Sequence, residues 1–157
     1  MKTQLAWWFC AQDKLPHGDG RMVQVGLTHK IEPPIVPCER GLHASATVRE
    51  ALQYAPGSIL YRVKLGGTIV AANDKFAASS RKYLARIDAN AIIHAWGRAC
   101  AFEMVHLWDC PHVVSDYLRT GDETLRSAAR SAAWNAARSA QNKDLTAMLT
   151  KALKDKK

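Results

Sequence analysis

His43 and Tyr54 stand eleven positions apart, one in Gly41-Leu42-His43-Ala44-Ser45, the other in Ala51-Leu52-Gln53-Tyr54-Ala55. A strand ending at the imidazole and a short helix carrying the phenol would bring both rings over one cleft, where an aromatic face can hold a flat heterocycle. Packing of Tyr54 into the core is the competing expectation. A second set, His94, Cys100, His106, Cys110 and His112, has metal-binding residue types, but only His106 and Cys110 have the four-residue spacing that stacks ligands on one helical face. Core histidines and buried thiols therefore account for it, and no metal is expected. A third set is the near-repeat of Arg126 to Ala140, in which Arg126, Arg130, Trp134 and Arg138 recur every fourth residue. Four-residue steps drift slowly around a helix, so these form a winding stripe opposite small alanines. The stripe could grip phosphate or an acidic protein surface with Trp134 stacking on a planar group, or it is a solvated helix face.

The elements that would position these residues follow from periodicity and turn chemistry. Leu5 to Cys10 is an aromatic strand, and His17-Gly18-Asp19-Gly20 supplies a turn before Arg21 to Val25, which alternates at period two, so the two runs are expected as a hairpin. The prolines of Glu32 to Pro37 exclude a regular ladder and leave an extended connection. Ile59 to Leu65 and Thr68 to Val70 are strands parted by a turn or bulge at Gly66-Gly67, with Asn73-Asp74 ending the second. In Lys82 to Ile87 alternation sets Tyr83, Ala85 and Ile87 on one face. From Asp88 the period becomes helical: a buried helix from Asp88 or Asn90 to Cys110, a shorter one from Pro111 to Arg119 closed by Gly121, and a long one capped by Asp122 or Thr124 and running toward Leu153.

The expected fold is α+β, a small mixed or antiparallel sheet of five or six strands within residues 5–87 followed by a three-helix region. One domain is expected over 1–157, with a strand-rich core at 1–88, helices at 89–153 packed on it, and a frayed basic tail at 154–157. The chain carries 22 basic and 14 acidic side chains, a formal charge of +8 spread over both halves, and 48% hydrophobic residues. That composition excludes intrinsic disorder outside the tail and favours acidic or phosphate-rich partners. Four cysteines without CxxC spacing, no secretory signal and no stretch fit to cross a bilayer point to a cytoplasmic protein with reduced thiols.

Gly-Leu-His-Ala, then Ala-Leu-Gln-Tyr, then the strand Ile59 to Leu65 resembles the core of the ADP-ribosyltransferase-like fold, in particular poly-ADP-ribose polymerase-type domains. In those domains two tyrosines eleven positions apart flank the nicotinamide site. The resemblance covers about 35 of the 157 residues. His43 takes the place of the first tyrosine, and Ala51 stands where that pattern has serine. It implies NAD as cofactor, with His43, Ser45 and Tyr54 as the residues that bind it. It also implies a histidine or arginine on an early strand and a glutamate on a late one. Trp7 and Trp8 occupy the early place, leaving His29 to hold the ribose, and the acids available for the late one are Asp74 and Asp88, both at strand ends, of which Asp74 is assigned the role. The whole pattern further resembles small accessory proteins of phages and prophages. These resemblances imply two functions: a host-directed inhibitory binding protein of anti-defence or anti-CRISPR type on a transferase-like scaffold, or an NAD-dependent mono-ADP-ribosyltransferase acting on a host macromolecule. A nucleic-acid-binding domain supported by charge and Trp134 ranks third.

Overall fold

A computed structural model describes residues 3–17 and 19–154, with side chains for all but 153 and 154. The expected turn at Gly18 and the basic tail beyond Lys154 lie outside the described residues. The chain divides into two compact units, Met1–Ala91 and Ile92–Lys157.

The first unit is an antiparallel sheet of five strands: β1 (Gln4–Cys10), β2 (Thr28–Lys30), β3 (Leu42–Ala44), β4 (Ile59–Ala71) and β5 (Phe76–Asp88), with the helix α1 (Val48–Leu52) between β3 and β4. Strand order is β1-β4-β5, with β2 and β3 sharing the other edge of β5. Just past β3, Ser45 and Trp7 exchange backbone hydrogen bonds of 2.8 and 2.9 Å, so the sheet curls until its two edges meet. This bridge satisfies the outer N–H and C=O of Trp7, in the middle of β1, that an open edge would expose.

Inside the curl, Ala6, Cys10, Leu42, Ala44, Tyr61, Val63, Leu65, Ala78 and Tyr83 form the core with Leu15 and Val23 from the loop after β1. The α+β class and the antiparallel sheet are as the alternation implies; several local expectations are not. Arg21 to Val25 forms no strand and touches the ladder pattern only through a Lys14–Met22 bridge; the partner of β1 is β4, forty-nine or more residues away. Two long apolar strands bury more surface against each other than a short hairpin would, and the Val23 side chain serves as core plug instead. Gly66-Gly67 is a bulge within one continuous strand, with Gly67 at φ +69°. A second irregularity pairs Arg62 with Ala85 and Val63 with Tyr83, which skips Leu84. The slip shifts the alternation, so Tyr83 is buried while Ala85 and Ile87 face solvent.

The second unit holds α2 (Asn90–Glu103), α3 (His112–Thr120) and α4 (Arg126–Lys154), linked by single 3₁₀ turns at Val105–Leu107 and Glu123–Leu125. Asp88 accepts from the Asn90 N–H at 2.9 Å at the start of α2, Gly121 closes α3 at φ +69°, and Asp122 accepts from the Thr124 N–H at 2.9 Å before α4. Val114 and Ala129 are buried where α3 meets the start of α4. The expectation of a buried helix after Asp88 is overturned: α2 has no buried residue, and Ile92, Trp96, Phe102 and Met104 are all exposed. Periodicity identifies a helix; it does not supply the surface that covers it. No helix among the described residues is long and apolar enough to cross a membrane.

Candidate functional site

Tyr54 follows α1, a helix of one and a half turns held by a full capping box. Thr47 accepts from the Glu50 N–H at 3.2 Å, and Glu50 accepts from the Thr47 N–H at 3.0 Å. Half exposed rather than packed in the core, Tyr54 donates a short hydrogen bond to Asp74 in the β4–β5 turn. The Lys75 ammonium lies 4.0 Å from the centre of the Tyr54 ring. The neighbouring Tyr54 hydroxyl first, and then the Cys38 thiol, raise the Lys75 pKa. Cys38, at φ +70°, donates its N–H to Nε2 of His43 at 3.0 Å. Asp74 and Lys75 thus border Tyr54, and Cys38 borders His43, the two residues whose spacing suggested a shared cleft.

The chemistry of that cluster is narrower than its residue types imply. His43 accepts at Nε2 from the backbone of the loop before β3, so that nitrogen is not open to a ligand. Burial above all, then the positive charges of Lys75, Arg81 and His17, lower its pKa, and it sits neutral as a staple of that loop. One face of Tyr54 carries a cation. Asp74, the acid nearest to it, is tied to the phenol.

His29 is not within reach of a ligand. It is buried on β2 with Nδ1 2.9 Å from the Tyr83 hydroxyl. Arg81 donates to that same hydroxyl oxygen from Nε at 3.2 Å and Nη2 at 3.0 Å. Two donors fill both lone pairs, so the hydroxyl proton must go to His29 Nδ1. Burial and the charges of Arg21 and Arg81 hold its pKa down. Ser45 is also buried, and its backbone closes the sheet. The expected ribose role of His29 thus meets a side chain already committed to the fold, and the expected cofactor role of Ser45 meets a buried residue.

Arg81 is the residue that sequence reading missed. Fully buried without a carboxylate partner, it lies 3.9 Å from the Trp8 ring centre and donates from Nη1 to the His43 carbonyl at 2.6 Å. Burial lowers its pKa, but a guanidinium starts so high that it stays charged. Trp8, Tyr61, Tyr83 and His29 surround one another at centroid distances of 5.4 to 5.9 Å, and their electron-rich faces and hydroxyl oxygens stand in for the missing anion. At the rim, Arg86 grips Asp13 through two bonds of 2.9 Å, and Tyr61 donates to the same carboxylate at 2.6 Å. These bonds, Arg86 first, hold the Asp13 carboxyl below the usual range.

On α4, Arg126, Arg130, Trp134 and Arg138 are all exposed, Trp134 at 67%. Arg126 pairs with Glu123 at 3.2 Å, while Arg130 and Trp134 line a shallow open depression. Among the described residues no three potential metal ligands gather, and His106 and Cys110 lie outside any regular α-helix.

The first unit thus defines a small curled antiparallel sheet with a basic exterior and a polar staple in its core. The chain belongs to the family described as a domain of unknown function (DUF7666), whose model matches residues 14–95, just over half of the sequence. That match spans β2 through β5 with the Tyr54 cluster and leaves β1 and α4 outside it. No curated protein and no solved structure matches the chain.

Proposed function

We propose that the chain is a host-directed binding and inhibitory protein of phage type, built on an ADP-ribosyltransferase-like scaffold and acting in the host cytoplasm by occupying an acidic protein or nucleoprotein. The observation that carries this reading is the state of the Tyr54 cluster. The nicotinamide of NAD is itself a cation, so it would have to displace the Lys75 ammonium from that ring face against charge repulsion. The only acid at hand, Asp74, is held by the phenol, and the ribose-holding place would fall to a histidine locked inside the core. Electrostatic stabilisation of an oxocarbenium-like transition state needs a carboxylate aimed at the reacting carbon, and the cluster offers none that is free. What the surface does offer is charge and exposed aromatics: the net +8 and the Arg130–Trp134–Arg138 stripe on α4.

The transferase alternative, with NAD bound by His43 and Tyr54, draws on the polar neighbours of those residues, Lys75 beside Tyr54 and Cys38 beside His43. Incubation with host lysate and labelled NAD separates the two. The binding reading expects a retained partner, released by salt and weakened by Arg126→Ala, Arg130→Ala and Arg138→Ala together, without transfer of label. Transfer that is lost in Tyr54→Ala would establish the alternative.

A further inference from the structure

The outer face of the sheet carries a second basic surface that no sequence motif announces. On β4, Arg62 and Lys64 face outward beside Trp7 and Leu5 of β1; on β5 and β2, Lys82, Thr28 and Lys30 continue the same face. Pairing aligns Leu5, Lys64, Lys82 and Thr28 in one row across four strands, and Trp7 with Arg62 in the row beside it. The Arg62 guanidinium stacks 4.3 Å from the centre of the Trp7 ring. β1, β2 and β4 contain no acidic residue, and the one acid in β5 is its last residue, Asp88. None of Lys30, Arg62, Lys64 and Lys82 is in an ion pair among the described residues.

Lys64 directly opposite Lys82 is the informative pair. Like charges facing each other across neighbouring strands destabilise a sheet, and here no acid on the face relieves them. Threonine or glutamate at either place would fold better. Such an arrangement makes sense where a polyanion crosses the strands and neutralises both ammonium groups. The Trp7–Arg62 stack at one end gives that strand a planar platform on which a base can lie. The edge of β1 at Trp7 is already closed by Ser45, so a partner meets side chains here rather than adding a strand. The row of Lys64 and Lys82 lies along the sheet itself, and a sheet face lying flat does not enter a duplex groove as a helix or ribbon would.

We infer that this face, built from Trp7, Lys30, Arg62, Lys64 and Lys82, binds single-stranded nucleic acid, with the lysines on phosphates and the Trp7–Arg62 stack under a base. The inference rests on the binding reading above and gives it a surface and a chemical class of partner.

The test uses the full chain and a fluorescently labelled oligothymidylate of about twelve nucleotides, within the usual single-strand site size, followed by anisotropy across a salt series. With three lysines neutralising phosphates, log affinity is expected to fall against log salt with a slope of about −2. Lys64→Thr with Lys82→Thr should weaken binding by about tenfold or more at low salt and flatten the slope by about 1.4. The same double variant should melt no lower than the parent, because the opposed charges are relieved, so lost binding cannot be blamed on misfolding. Arg62→Leu should weaken binding at every salt concentration with loss of the stacking contribution. Absence of oligonucleotide binding, binding unchanged in the lysine double variant, binding lost only in the α4 arginine variant, or binding of polyglutamate in place of the oligonucleotide would each overturn the inference. Retention of a salt-released partner from lysate is read separately: if it persists while the oligonucleotide fails, this surface assignment falls and the binding reading stands.

Discussion

Removing a single oxygen, in Tyr83→Phe, strikes the centre of the fold without changing its volume. The ring keeps its edge-to-face contacts with Tyr61 and His29, both at 5.4 Å, so no cavity opens. What disappears is the acceptor of two bonds from Arg81 and the donor to His29. Bonds to a charged donor contribute about 1.5–3 kcal/mol each and a neutral one about 1 kcal/mol; together with a buried guanidinium left short of partners, the loss should be about 4 kcal/mol. Against a typical total of about 5–15 kcal/mol, that is a large share. Tyr61→Phe is the matched control. Its hydroxyl serves Asp13 at the partly exposed rim, where Arg86 still holds the carboxylate, so about 1 kcal/mol is expected. Urea denaturation of parent and both variants, with unchanged m-values, measures the difference. A Tyr83→Phe loss below about 1 kcal/mol, or one no larger than that of Tyr61→Phe, would refute the view that the hydroxyl anchors a buried cation.

Other expectations concern titration, thiols and the short helix. His29 and His43 both have folded pKa values below the unfolded 6.5, so the unfolded chain binds more protons as acid is added; stability should be complete above pH 6.5 and fall below it, by up to about 2.7 kcal/mol per pH unit for the two together, as followed by thermal melting in a pH series. The paired carboxylate of Asp13 loses its contribution only as pH falls past the unfolded value of 3.8, which separates the two windows. Burial pushes the Cys10 thiol up to about 11, so a thiol reagent applied to the native protein should label exposed Cys38 and Cys100 promptly and Cys10 only on unfolding; mass mapping reads the order, and early Cys10 labelling would count against the closed core. Thr47→Ala should cost about 1 kcal/mol in denaturant melts, and hydrogen exchange should show the loss confined to α1 and Tyr54; unchanged exchange there would remove the cap as the element that sets Tyr54 in place.

Much of the architecture could be read from local pattern. The switch from period two to a helical period near Asp88, Gly121 after α3 and the Asn73-Asp74 turn were legible because each depends on backbone chemistry within a few residues. The pairing of β1 with β4 was not, since alternation says which face is apolar and leaves the partner open. The slip at Leu84 is equally silent: nothing in Lys82 to Ile87 announces that one residue will be skipped. At the site, Lys75 beside Tyr54 and Cys38 beside His43 carried no pattern of their own. Arg81 was invisible because an arginine alternating in a strand is normally a surface residue; only long-range pairing turns it toward Trp8 and Tyr83. The row Lys64–Lys82 likewise exists only once register is known. The apolar face of α2 misled in the opposite direction, promising burial that its own unit does not provide.

The most direct test of the central claim is retention of a host partner on the immobilised protein in lysate supplied with labelled NAD, followed by elution with rising salt. A partner that elutes as salt increases and carries no label is the predicted result. A partner that carries ADP-ribose, or no salt-sensitive partner at all, would contradict it.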